Sequence, residues 1–218
     1  MSATPNDRIA AIRADYTMAE LNEASVDRDP MVFFMRWFNE AVSADIVDVN
    51  AMTLSSIGLD GFPDSRVVLL KGVEANAFHF YTNYNSAKGQ QLQQHPQVAL
   101  NFFWKELQRQ VRVTGVVEKL SVSQNQPYFS SRPLGSQIGT WASPQSTVIA
   151  QRQVLEDRVS AIERQFANLS VLPCPEFWGG FAVHPVKIEF WQGRSSRLHD
   201  RLRFTKQNNA WNLERLAP

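Results

Sequence analysis

The 218-residue chain has a single cysteine, Cys174, set between two prolines in "PCPEFW". One thiol cannot close an internal disulfide, so nothing of a disulfide scaffold is expected and the expected compartment is reducing. Its four histidines, His79, His95, His184 and His199, stand far apart, with no HExxH and no Cys/His pair at zinc-site spacing. No metal site is expected. Net charge is nearly absent: 22 Lys plus Arg oppose 21 Asp plus Glu, for a formal +1. That balance gives no bulk attraction to nucleic acid or to an anionic membrane, and neither is expected as a partner. No apolar run approaches a membrane span, and "MSATPNDRIAAIRADY" lacks the apolar core of a signal peptide, so the expected location is cytoplasmic. The Gly-rich phosphate loops GxGxxG and GxxxxGK[ST] are missing too. Any phosphate bound here must be held mainly by side chains.

What is present suffices for a core: 44% hydrophobic residues, with 11% aromatic. Residues 1–28 are polar and read as an arm or lid, and 29–218 as a single domain. Asp29 followed by Pro30 predicts an N-cap and first-turn proline, opening a helix through "MVFFMRWFNEAV". Strand-like runs follow closely: "AMTLSSIG", "SRVVLLKGV", "AFHFYTN", "QVALNFFW" and "QRQVRVTGVVEKL". Their short connections predict an antiparallel barrel or strongly bent sheet rather than a doubly wound fold, which would need a helix between most strands. "SAKGQQLQQ" and "SVSQNQPYFSSR" read as helical, and "PLGSQIGTWASPQS" (133–146) as a long polar loop. Val148, Leu155, Val159, Ile162 and Phe166 form a one-faced apolar stripe that predicts the best helix. "GGFAVHPVKIEFW", "RLHDRLRF" and "AWNLERL" read as closing strands.

Three places offer cations to an anion. Arg66 and Lys71 bracket the apolar run of "RVVLLK". Being five apart, they face opposite sides of a regular strand, so a shared ligand requires a bulge or a strand end. In "YTNYNSAK" hydroxyls and Lys88 meet a helix start, where free N–H groups favour anions. In "RLHDRLRF", read as a strand from residue 197, Arg197, His199, Arg201 and Arg203 line one face. Such a row of like charges is unfavourable unless something negative lies against it. Solvated strand ends, a helix cap and a solvated edge are the alternative readings of the three.

Taken in order, "FYTNYNSAK", "LQRQVRV", "YFSSRPLGSQIGTWAS", "FWGGF" and "IEFWQGRSSRLHDR" resemble the pyridoxine (pyridoxamine) 5'-phosphate oxidase family. The likeness runs from about Asp7 to the final "WNLERLAP". Its most specific part is "SRP…SQIG…W" combined with "EFWQG…RLHDR". The resemblance implies a mainly β fold with flanking helices, an FMN-binding split β-barrel, working as a homodimer with flavin between subunits. It implies oxidation of pyridoxamine or pyridoxine 5'-phosphate to pyridoxal 5'-phosphate, with electrons passing to FMN and then to O2.

Matching motif positions, the implied FMN contacts are Arg66, Val67, Leu69, Lys71, Tyr81, Thr82, Lys88, Gln110, Gln145, Ser146, Trp191 and Arg201. The implied substrate contacts are Lys71, Tyr128, Arg132, Ser136, Arg197 and His199, with Arg197 and His199 catalytic. Arg13 and Tyr16, in "RADY", fall where the family has a segment covering the substrate. His199 suits either proton transfer or simple orientation, since its ordinary pKa of roughly 6.5 permits both forms. One departure stands out: many members read Ser-Arg-Lys where this chain reads Ser86-Ala87-Lys88, so a guanidinium expected near the flavin phosphate is missing. Two rival readings are a flavin reductase using a nicotinamide, which has no need of the Tyr128, Arg132 and Ser136 trio, and a non-catalytic carrier of flavin or pyridoxal phosphate.

Overall fold

The strands are β1 (Ala51–Ile57), β2 (Pro63–Leu69), β3 (Gly72–Glu74), β4 (Ala77–Asn83), β5 (Gln97–Trp104), β6 (Arg109–Lys119), β7 (Trp178–Gln192), β8 (Asp200–Gln207) and β9 (Ala210–Leu216). The computed structural model describes residues 6, 9, 11, 15–208 and 210–218. Hydrogen bonding orders the strands β2-β1-β5-β6-β7-β4-β3, and β8 pairs with both β7 and β9. No helix among the described residues is long and apolar enough to cross a membrane. The chain divides into two units: Asn50–Leu100 with Thr114–Val186, and the segment up to Val49 with Asn101–Val113 and Lys187–Pro218.

In the first of these units β1 and β2 pair antiparallel from Ala51↔Leu69 to Ile57↔Pro63. Met52, Leu54 and Ser56, spaced by two, are the buried face of β1. Strand β3 turns into β4 through Ala75 and Asn76, whose φ values of 49° and 60° give the two-residue hairpin geometry. Helix α2 (Ala87–Gln94) is capped by Ser86, whose Oγ accepts from Gly89 N at 3.2 Å. The "FWGGF" glycines make room for a buried tyrosine: a Cβ on Gly179 would lie 2.1 Å from the Tyr84 hydroxyl oxygen, which donates to Gly180 O at 3.1 Å. Asn125 clamps the same point, donating to the Tyr84 oxygen and accepting from Gly180 N.

Helix α3 (Val122–Ser131) is as expected. The segment read as a polar loop is not. Leu134–Ala142 forms helix α4, with Gln137 and Ala142 buried, and Trp141 Nε1 donates to Pro173 O at 2.9 Å. Gly135 and Gly139 argue locally against a helix, but packing of Trp141 on Phe166 and Phe177 overrides that weak propensity. The striped helix, α5 (Arg152–Gln165), starts later than the stripe suggests. Leu155, Val159, Ile162 and Phe166 are half-buried along it, whereas Val148 lies outside and is exposed.

The other unit is built on aromatic packing. Helix α1 (Pro30–Ser43) begins as expected, with the Asp29 carboxylate accepting from Met31 N at 2.8 Å and Pro30 in the first turn. Its buried stripe, Met31, Phe33, Phe34, Trp37 and Ala41, follows helical spacing. Phe33 and Trp37 pack on Phe190 at 4.4 and 5.3 Å, and Phe34 on Phe102 at 5.1 Å. Fully burying each such ring contributes about 1.5–3 kcal/mol.

Strand β8 pairs with β7 on one side and β9 on the other, both antiparallel. It starts at Asp200, because Ser195–Arg197 form a 3-10 turn with left-handed backbone at Ser196 and Arg197 (φ 56° and 61°). The expected row of four cations is therefore cut in half. Only Arg201 and Arg203 share the strand face, and carboxylates of the chain itself lie on them. Arg201 holds Glu189 at 2.9 Å, and Arg203 holds Glu214, its cross-strand partner, at 2.8 Å. Asp200 pairs with Arg215 at 2.8 Å and accepts from Leu21 N at 3.1 Å.

Candidate active site

A cavity of about 830 Å³ opens in the unit containing β1–β4, within the size range of small-molecule sites. At one part of its wall Arg66, Thr82, Lys88 and Gln145 converge. Arg66 is fixed from behind: it donates to Ser56 Oγ at 2.6 Å and Gln91 Oε1 at 3.0 Å, and pairs with Asp64 at 2.5 Å. The Gln91 amide donates to Asp64 at 2.8 Å. That hydrogen bond, with the adjacent Arg66 charge, holds the Asp64 carboxyl below its ordinary pKa. Thr82 Oγ1 and Lys88 Nζ both donate to Gln145 Oε1 at 3.2 Å. Burial, with Arg66 close by, lowers the Lys88 pKa, against Asp64, which raises it.

The parity difficulty of Arg66 and Lys71 disappears in the structure. Strand β2 ends at Leu69, and Lys71 lies in the link to β3 with its N–H donating to His79 O at 2.8 Å. Freed from strand alternation, both line the cavity, along with Val67 and Leu69. Among the described residues no hydrogen bond or ion pair holds the Lys71 amine. Ser146, next to Gln145, has left-handed backbone (φ 69°).

Tyr128, Arg132 and Ser136 line the same cavity. Their common placement comes from the end of α3 and the first turn of α4, two helices meeting at Arg132-Pro133. Tyr81, Tyr128 and Trp178 stack as three rings, with centroids 4.0 Å apart for Tyr81–Tyr128 and 5.3 Å for Tyr81–Trp178. Burial raises both phenol pKa values, so both hydroxyls stay protonated donors at neutral pH. The Arg132 guanidinium lies 4.8 Å over the Trp178 ring and donates to Thr140 Oγ1 at 2.7 Å. Trp178 and Thr140 were not among the expected site residues. Thr140 carries a readable signal, since it falls four residues after Ser136 and hence on one face once 134–142 is a helix.

The remaining expected residues belong to the other unit. Tyr16, Trp191 and His199 form one cluster: Trp191 lies 4.7 Å from His199, and Tyr16 stands 5.8 Å from Trp191 and 5.7 Å from His199. His199 Nδ1 accepts from Arg194 N at 3.1 Å, which assigns the proton of the neutral ring to Nε2. Arg201 lies opposite Trp191 in the β7–β8 register but is engaged by Glu189. Gln110 Nε2 donates to Asn101 Oδ1 at 2.6 Å. Arg197 has no polar partner among the described residues. Arg13 lies outside the described residues.

The family model for pyridoxamine 5'-phosphate oxidase matches residues 38–166, and that for the pyridoxine 5'-phosphate oxidase C-terminal dimerisation region matches 178–218. The chain is 51% identical over 210 residues to the pyridoxine/pyridoxamine 5'-phosphate oxidase of Synechocystis, covering 96% of this chain and 98% of that one. It is 47% identical over 213 residues to the protein of the same name from Salinibacter ruber, with 97% and 99% covered. Among solved structures, PhzG from Burkholderia lata, crystallised with tetrahydrophenazine-1-carboxylic acid, superposes with a TM-score of 0.86 at 26% identity, covering 93% of this chain and 99% of that one. A pyridoxamine 5'-phosphate oxidase-related, FMN-binding protein from Nostoc punctiforme shares the fold, at a TM-score of 0.69 and 17% identity, with 88% and 100% covered. The expected mainly β, split-barrel fold with flanking helices is the one these likenesses show. With two family models and near-complete relatives at about half identity, the chain belongs to the pyridoxamine 5'-phosphate oxidase family.

Proposed function

We propose that this protein oxidises pyridoxamine and pyridoxine 5'-phosphate to pyridoxal 5'-phosphate, using FMN and passing the electrons to O2. The alcohol reacts with O2 to give aldehyde and H2O2; the amine also consumes water and releases ammonia. The observation that supports this reading is one cavity lined by two groups of donors, Arg66, Lys88 and Thr82 and then Arg132, Tyr128 and Ser136, each of which suits a phosphate. A cofactor and a substrate that each bear a phosphate need such a pair, whereas a nicotinamide-dependent flavin reductase has no use for the second.

The donor chemistry fits FMN. The fixed Arg66 fork, the Lys88 amine and the Thr82 and Ser146 hydroxyls suit a phosphate, and Val67 and Leu69 offer an apolar edge to a flat ring. Tyr81, Lys71, Gln145, Gln110, Trp191 and Arg201 complete the proposed cofactor contacts. When bound, FMN supplies the two-electron acceptor that no side chain provides. The protein's part is positioning and charge: Arg132 holds the substrate phosphate bidentately, and Tyr128 and Ser136 add hydroxyl donors. Lys71 and Arg197 place positive charge beside the electron-rich ring. His199 acts through its Nε2–H, orienting the substrate as a donor while Nδ1 stays on Arg194 N. Arg13 and Tyr16 are assigned to covering the substrate, as the family likeness implies. The active form is a cytoplasmic homodimer with flavin between subunits, in keeping with the dimerisation-region match.

The test is anaerobic addition of pyridoxamine 5'-phosphate to the FMN-loaded protein. Loss of the flavin's visible absorption, with pyridoxal 5'-phosphate appearing in equal amount, is expected. A flavin spectrum that does not change overturns the oxidase reading and favours a carrier.

A further inference from the structure

The segment preceding α1 is fastened by a residue to which none of the roles above applies. Gln108 ends the Lys105–Leu107 turn in left-handed backbone (φ 52°, ψ 40°). Its Oε1 accepts from two successive amides, Thr17 N at 3.1 Å and Met18 N at 3.3 Å. Its carbonyl oxygen accepts from Gly193 N at 2.8 Å and from Gln192 Nε2 at 3.2 Å. One residue thus ties the N-terminal segment to the end of β7. Tyr16 sits beside this knot with its ring on Trp191 and His199. Gly193 leaves it the space, since a Cβ there would stand 2.8 Å from Tyr16 Cγ and 3.1 Å from Gln108 Cβ. Asp15 adds a second tie, accepting from Ser196 N at 3.3 Å.

We propose that Gln108 is a positioning residue for the substrate site: by holding the Thr17 and Met18 amides it seats Tyr16 against His199 and Trp191. The proposal rests on the assignment of Tyr16 and His199 to the substrate. An amide carbonyl has two lone pairs and satisfies both N–H donors at once. Leucine, of similar size, satisfies neither. The bonds are exposed, so the released amides turn to water and the cost falls on the seated population of the segment rather than on folding.

The experiment compares Gln108→Leu with Gln108→Glu, which keeps the acceptor. Hydrogen exchange at the Thr17 and Met18 amides is expected to be about tenfold faster in the leucine variant and near normal in the glutamate variant. KM for pyridoxamine 5'-phosphate is expected to rise about tenfold in Gln108→Leu with kcat and FMN affinity little changed, and to recover in Gln108→Glu. Unchanged exchange in Gln108→Leu overturns the seating whatever the enzyme does. Faster exchange with unchanged KM overturns its role at the substrate site. If Gln108→Leu fails to fold, Gln108→Ala decides, because it too removes the acceptor: faster exchange at Thr17 and Met18 with a raised KM supports the proposal, and an unchanged value of either overturns it. Should the unsubstituted protein turn over no pyridoxamine 5'-phosphate, the functional reading fails by itself, and the exchange data still decide the seating.

Discussion

Thr140 holds Arg132 in place: its Oγ1 accepts from the guanidinium at 2.7 Å and donates to Ser136 O at 2.9 Å, one helical turn back. The hydroxyl thereby couples two of the three residues assigned to the substrate phosphate. Trp178 supports the same guanidinium from its face, and Gln137 Nε2 donates to the Arg132 carbonyl at 2.8 Å.

Thr140→Val keeps the β-branched shape and removes that acceptor. A hydrogen bond to a charged group is worth about 1.5–3 kcal/mol, so misplacing the fork is expected to raise KM for the phosphorylated substrate about tenfold or more. Thr140→Ser should restore most of it. Steady-state kinetics on the three proteins check this, and an unchanged KM in Thr140→Val would mean that the Trp178 and Phe129 rings suffice to orient Arg132.

Much of this site was legible in the chain because motif residues close in sequence are close in space. Arg66 to Lys71, Tyr81 to Lys88 and Tyr128 to Ser136 are local runs, and each lands on the cavity. What escaped reading depends on contacts distant in sequence. The 134–142 helix is stabilised by Phe166 and Phe177, so its two glycines misled, and with the helix went Thr140. The 197–203 row looked cationic because Glu189 and Glu214 lie on neighbouring strands, out of sight of any local window. Period-two counting also missed the left-handed pair Ser196-Arg197, which takes Arg197 and His199 off the strand before β8 begins.

Ala87, at the start of α2, is exposed and lines a small cavity with Asp64, Gln90 and Gln91. An arginine there adds a cation beside Lys88, on the helix that also carries Gln91 of the Arg66 network. Ala87→Arg is expected to tighten FMN binding about tenfold, the equivalent of one added charged hydrogen bond. Flavin fluorescence titration measures it. Unchanged affinity would show that Arg66 and Lys88 already satisfy the phosphate.

His79 is buried on β4, and burial holds its pKa below the ordinary value, against Glu74, which raises it, and with His184, which lowers it further. The unfolded chain therefore binds this proton more readily than the folded one. Stability is expected to fall as pH drops through the ordinary histidine range, roughly 6.5, toward the lower folded value, where the loss levels off. Melting temperatures of the protein and of His79→Gln across that window check the sign: the slope should flatten in the variant. An identical slope would assign the acid sensitivity to other groups.

Arg197 and Arg201 look alike in the sequence and differ in every physical respect. Arg201 is held by Glu189, whose side chain is only 12% exposed. Replacing Arg201 by Met leaves that carboxylate with Arg112 alone, at 3.4 Å and largely in solvent. The expected loss is about 1–2 kcal/mol of stability, less than for a fully buried pair because the site is partly open. Weaker FMN retention is expected as well, and adding Glu189→Gln to Arg201→Met should recover the stability but not the flavin. Arg197, by contrast, has no polar partner among the described residues and carries left-handed backbone, which costs a non-glycine residue roughly 1–2 kcal/mol. Arg197→Gly is therefore expected to leave the fold as stable as before or about 1 kcal/mol more so, the relief of strain being offset in part by glycine's larger unfolded-state entropy. FMN should remain bound, while turnover of pyridoxamine 5'-phosphate falls at least about tenfold. Thermal melting, flavin titration and steady-state kinetics on the same variants separate the two arginines. A destabilised, flavin-free Arg197→Gly beside an intact Arg201→Met would reverse their assignments.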